Sequence, residues 1–125
     1  MNLEEFIKTR IGSLNELRTL LLFRARANTD CDATEVSGKL YLKHPDSAAA
    51  ITALVAHGLL VPSDKRDHFR YQPRSEELAR LVEELAEMDR RHPVTLINMI
   101  YERPRDIQAF ADAFKLTKDK EQKDN

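Results

Sequence analysis

The sequence predicts a mainly α-helical domain that carries one β-hairpin. Three observations support this. Apolar residues recur at helical spacing through most of the chain. Residues of the capping type stand just before those runs. One short stretch, residues 59–72, instead places extended segments around a hydrophilic turn. The chain has 125 residues, which suits one core and one domain. Its 33% charged and 42% apolar residues are the balance of a soluble globular protein.

Asn2 and Glu5 have the spacing of a capping box for a short first helix. That helix would turn Leu3, Phe6, Ile7 and Ile11 inward and end at Gly12. Ser13 and Glu16 repeat the spacing and open a helix through Leu14, Leu17, Leu20, Leu21 and Leu22 to about Ala27. It is apolar enough to be buried. Residues 28–31 are a polar break. Asp32 and Glu35 form a third box, for a helix with Val36, Leu40 and Leu42. Pro45 then breaks the chain at Lys43-His44, because proline disfavours helix in the residue before it.

Asp46 is the expected cap of the next helix, whose Ile51, Leu54 and Val55 make a core face. Gly58 stands where a left-handed helix stop is wanted. Leu59-Leu60-Val61 is extended in character, residues 62–67 are turn-like, and residues 68–72 alternate as a return strand. Ser75 caps a long amphipathic helix bearing Leu78, Leu81, Val82, Leu85 and Met88. Pro93 fits the first turn of a further helix with Val94, Ile97, Ile100 and Tyr101. Pro104 does the same for a last helix with Ile107, Phe110, Ala111 and Phe114. Residues 117–125 are a charged, flexible tail.

Several function classes find no support in the residues. Cys31 is the single cysteine, so no intrachain disulfide forms, and a reducing cytoplasm fits. Residues 1–10 lack the apolar centre of a signal peptide. No apolar run reaches the roughly 20 residues that span a bilayer. His44, His57, His68 and His92 are scattered, without His or Cys partners at metal-ligand spacing. Asp30 and Asp32 lack the glycine and terminal glutamate of a calcium loop, and read as turn and cap residues. The pairs Glu76-Glu77 and Glu83-Glu84 lie on the solvent face of a helix. There is no glycine-rich phosphate loop and no nucleophile elbow. The expectation is a protein without a catalytic site, a cofactor or a metal.

The order helix, helix, short turn, helix, hairpin fills residues 13–74. Within it, SAAAITALVAHGLL (residues 47–60) runs into VPSDKRDHFRYQP (residues 61–73). This segment resembles the third helix and wing of winged helix-turn-helix regulators of the MarR-like kind. Ile51 and Leu54 would pack the third helix on the first two, and Leu60 and Tyr71 would anchor the hairpin. FADAFKL (residues 110–116), after INMIYERP (residues 97–104), is similar to the end of small bacterial winged-helix proteins labelled transcriptional regulators. The resemblance implies one winged-helix domain over residues 1–116. Residues 13–74 would be helix-turn-helix and wing, and residues 75–116 extra C-terminal helices.

It also implies a DNA-binding regulator. The net charge is −1, so any basic patch must be local. Lys43, Lys65, Arg66 and Arg70 are expected at phosphates, with His44 and His68 beside them and Lys39 and Arg74 nearby. Ser47, Thr52 and His57 are the expected base-edge contacts. The remaining outward candidates on that helix, Ala49, Ala50, Ala53 and Ala56, offer no bidentate reader. Affinity would therefore come from the DNA backbone and fall steeply with salt. The expected partners are double-stranded DNA and a second copy joined through the C-terminal helices. The alternative is a protein-interaction module, in which the small, smooth third helix or the aromatic terminal helices hold a protein.

Overall fold

In the computed structural model, which describes residues 1–101, helices and a short hairpin follow one another in the predicted order. They are α1 (Leu3–Arg10), α2 (Leu14–Ala25), α3 (Ala33–Leu40), α4 (His44–Ala56), β1 (Leu60–Pro62), β2 (Phe69–Tyr71), α5 (Glu76–Arg91) and α6 (Pro93–Tyr101). The described part is thus mainly α with one two-stranded antiparallel hairpin. The expected helix after Pro104 and the charged tail lie outside the described residues. Among the described residues, no helix is long and apolar enough to cross a membrane.

Capping chemistry sets most of the starts. Asn2 and Asp32 each accept the amide of the third helical residue, and Glu5 and Glu35 return the bond to the cap backbone. Ser75 accepts Leu78 N–H and starts α5. Ser13 accepts the Glu16 amide at 3.1 Å, but Glu16 turns to Gly12 N–H at 2.6 Å, so this box is only half closed. Gly12 is not the stop of α1. Ile11 is the C-cap, in an extended conformation, and is itself buried.

The start of α4 differs from the sequence expectation. Lys43 is the N-cap and Pro45 lies in the first turn, so the helix begins before Asp46. Proline breaks helices in their interior, but in the first turn its missing N–H had no acceptor anyway. Asp46 instead adds a negative charge to the positive end of the helix dipole. Leu42 falls outside α3, because Tyr41 ends that helix in a left-handed conformation, φ 58 and ψ 44.

The core gathers Phe6, Ile7 and Ile11 of the N-terminal segment, Leu17, Leu20 and Phe23 of α2, and Ile51 and Leu54 of α4. Leu81, Val82 and Leu85 of α5 and Leu96 and Ile100 of α6 close it. Each fully buried side chain of this size stabilises the fold by about 1.5–3 kcal/mol before entropy is counted. On α6 the inward residues are Leu96 and Ile100, whereas Val94 and Tyr101 are exposed at 69% and 59%.

Gly58 ends the α4 segment at φ +80, as its position predicted. Leu60 then pairs with Tyr71, Val61 with Arg70 and Pro62 with Phe69. Leu60 is buried and Tyr71 partly buried against the core. Cys31, although it closes the polar break before α3, is fully buried. Its backbone pairs with Phe69, N–H to O at 2.9 Å and O to N–H at 2.8 Å, an isolated bridge added to the three pairs of the hairpin.

Candidate nucleic-acid interface

The start of α3, the first half of α4 and the hairpin come together at one edge of the molecule. A cleft of about 420 Å³ opens there, lined by Asp32 and Thr34 of the α3 start, His44, Ala48 and Thr52 of α4, and Asp67 of the hairpin. His44 and Thr52 are exposed. Lys43 precedes His44 in the chain, and Lys65 and Arg66 precede Asp67, so two cationic groups flank this cleft. Lys39, Lys43 and Lys65 are exposed and make no ion pair among the described residues. Arg66 has only a loose pair with Asp67, at 3.8 Å with both side chains almost fully exposed.

Other expected residues are placed elsewhere. Ser47 is fully buried, with its hydroxyl 2.8 Å from that of Ser37, where it ties α4 to α3. It faces inward because α3 and α4 approach closely there and a small hydroxyl fits between them. His57 is the C-cap of α4, at the opposite end from Lys43, and its carbonyl accepts a hydrogen bond from Arg10 at 2.7 Å. A helix of 13 residues separates the two ends by about 20 Å. Arg74 packs over Gly58 at the same end. Both guanidinium groups thus sit beside the negative end of the helix.

Arg70 and His68 point back onto the protein. The Arg70 guanidinium donates to Asp30 at 2.8 Å and holds that carboxyl below its usual pKa. His68 has a side chain only 13% exposed, with Nε2 at 3.6 Å from Asp32 and 3.8 Å from Glu35. Their place in or beside the wing put both residues in the sequence-predicted basic set; Asp30 before α3, and Asp32 and Glu35 at its start, supply the acids that meet them. The cluster Asp32, Glu35 and His68 escaped the sequence reading because its members come from two segments far apart in the chain.

Around the cleft the charge is therefore mixed. Asp32 and Asp67 line it, Lys43 and Arg66 adjoin lining residues in the chain, Lys65 stands next to Arg66, and Asp30 and Glu35 meet Arg70 and His68. The acids of α5 are partly neutralised, Glu83 by Arg24, Glu84 by Arg80 and Glu87 by Arg90 and Arg91. Sequence reasoning also missed Tyr41. Its ring is 93% exposed in the turn before α4, on a left-handed backbone that glycine suits better. The pairing of a helix end with an aromatic residue gave no signal of that exposure.

Comparison of the chain with family models, with curated proteins and with solved structures returned no match.

Proposed function

We propose that the chain is a winged helix-turn-helix protein that binds duplex DNA, holding it mainly by its phosphates, and acts as a transcriptional regulator. In this reading α2, α3 and α4 are the three-helix unit and the hairpin is the wing. The observation that carries it is the exposure of Lys43 on one side of the α4 cleft and Lys65 and Arg66 on the other, all free of strong internal ion pairs. Cations left unpaired at both borders of an exposed helix are suited to phosphates on either side of a groove.

The outer face of α4 presents Ala49, Thr52 and Ala56, which supply methyl contacts and one hydroxyl to base edges. Of the three expected base-edge residues Thr52 is retained, whereas the burial of Ser47 takes it out of that role and His57 lies at the C-cap, away from the cleft. Discrimination between sequences is accordingly modest, and salt sensitivity high. Dimerisation through the terminal helices belongs to the same proposal, and a solution mass that stays monomeric at micromolar concentration would remove that part.

The test is a duplex titration at two salt concentrations, with random DNA and with DNA flanking the coding sequence. Binding should weaken with salt, and replacing both Lys65 and Arg66 by Glu should abolish it at moderate salt. A single neutral substitution, Lys65→Gln, should lower the salt slope by about one. No binding at low salt would overturn the proposal.

One observation favours a second reading, a protein-docking module. A shallow cleft of about 570 Å³ runs over Leu14, Leu21 and Leu22 of α2, Leu40 and Tyr41 of α3's end, and Ile97 of α6. Its lining is mainly apolar, with Arg18, Lys39 and Asp89 among it, and suits a protein segment. The Lys65 and Arg66 double substitution would leave such binding intact unless the partner is acidic.

A further inference from the structure

We infer that Asp32, Glu35 and His68 form a binding site for a divalent transition-metal cation of the zinc class, which joins the hairpin to the start of α3. The three donor atoms lie within 4.8 Å of one another. They come from the two residues of one capping box and from the residue preceding β2.

The geometry of the imidazole comes first. His68 Nδ1 is 2.8 Å from the Arg66 carbonyl oxygen. A carbonyl only accepts, so Nδ1 carries the hydrogen and Nε2 is the atom turned to the carboxylates. A ring held through its other nitrogen by a main-chain carbonyl is the usual arrangement of a metal-ligating histidine.

The spacing comes second. Nε2 stands 3.6 Å from Asp32 Oδ2 and 3.8 Å from Glu35 Oε1. Hydrogen bonds of this type are about 2.7–3.2 Å long, so neither contact is one. Tetrahedral bonds of about 2.0–2.1 Å to nitrogen and oxygen put ligand atoms roughly 3.3 Å apart. A contraction of about half an ångström or less brings each carboxylate to the spacing of the imidazole's co-ligand, and the two carboxylate oxygens, within 4.8 Å of each other, close by about 1.5 Å at most, a shift that rotation of the half-exposed Glu35 side chain covers.

The carboxylates keep their structural work at the same time. Asp32 Oδ1 accepts the Glu35 amide at 2.9 Å, leaving Oδ2 to face the ring. Glu35 Oε1 accepts the Asp32 amide at 3.0 Å and retains a second lone pair, with Oε2 also available. Two carboxylates outweigh the roughly half-unit positive charge of the helix start, so the site attracts a cation. A nitrogen donor beside two oxygens selects zinc, cobalt or nickel over magnesium and calcium, which prefer oxygen alone. Three protein ligands leave a fourth position for water. The ion's place is not tied to the DNA-binding reading.

The full chain, stripped with a chelator and freed of it, is titrated with zinc against a chromophoric competitor, and separately with cobalt followed by visible absorption. The expected result is one equivalent of zinc held per chain, undisturbed by a large excess of magnesium, and cobalt bands of a low-coordinate site. Glu35→Gln preserves the capping box, since glutamine accepts the same amide, and should weaken zinc binding at least about tenfold. His68→Gln should remove the high-affinity equivalent. Far-UV circular dichroism checks that each variant is folded, and Glu35→Gln decides alone if His68→Gln is not. Failure of the wild type to hold an equivalent overturns the inference, as does a folded Glu35→Gln chain that binds zinc and cobalt like the wild type.

Discussion

Two left-handed residues bracket α4, and they differ in what their neighbours ask of them. Gly58, at φ +80, lies on the buried side after the helix, with Arg74 folded over it so closely that an added Cβ would meet that side chain at 3.1 Å. Tyr41, at φ 58, lies before the helix and projects its ring into solvent. At Gly58 residue and backbone agree. At Tyr41 they disagree by about 1–2 kcal/mol, the usual cost of a Cβ in this conformation. Local stability explains the first residue and not the second. The ring is exposed between Lys39 and Lys43 in the chain, and a use for it in DNA binding is a part of the proposal that substitution tests.

Substitution at each site separates the two cases. Gly58→Ala combines the backbone cost with the approach to Arg74, and should destabilise the fold by about 2 kcal/mol in denaturant unfolding. An unchanged midpoint would show that Arg74 yields and that the backbone there is soft. Tyr41→Gly should do the opposite, stabilising the fold by about 1 kcal/mol, while weakening DNA in the titration proposed above. Stabilisation without loss of binding would deny the ring a role at that surface.

The comparison extends to the interior, where Thr19 and Tyr71 hold buried hydroxyls without a hydrogen-bond partner among the described residues. Thr19→Val keeps the shape, removes the unpaired group, and should raise stability by about 1 kcal/mol in thermal or denaturant melts. Tyr71 gives the smallest effect at neutral pH and a larger one in alkali. Burial, then the nearby Glu83 carboxylate, push its phenol up to about 12 from an ordinary value of 10.0. Below pH 10 the phenol is neutral in both states and the fold keeps its full stability. Between pH 10 and about 12 the unfolded chain loses the proton while the folded one retains it, so stability falls as pH rises. Tyr71→Phe should show a shallower alkaline decline of the melting midpoint than the wild type. Equal declines would mean that the phenol reaches water before the fold opens.

Much of the fold was legible because its signals are local. A cap and the amide that donates to it lie three residues apart, and the hairpin announces itself by alternation around a polar turn. Gly58, Ser75 and the Asp32–Glu35 box were all readable on those grounds. The site was less legible because its charges are settled by tertiary approach. Nothing near Arg70 in sequence foretells Asp30, 40 residues away. Nor does the alanine-rich run around Ser47 reveal which small residue meets α3, since a 3.6-residue pattern needs large side chains to define its inner face. Pro45 misled for a different reason: the same ring that stops a helix interior is tolerated in a first turn.

The rung between Cys31 and Phe69 gives the hairpin a property that its own six strand residues do not supply. A ribbon of two three-residue strands is marginal by itself in water. Anchored to the loop before α3, it becomes part of a larger cooperative unit. In amide hydrogen exchange, Cys31 and Phe69 should therefore open together and at the same rate, although they are distant in the chain. The tip around residues 64–66, beyond that anchor, should exchange freely. The bridge thus couples the hairpin to the chain just before α3, so that an exchange measurement on Phe69 reports on the opening of both.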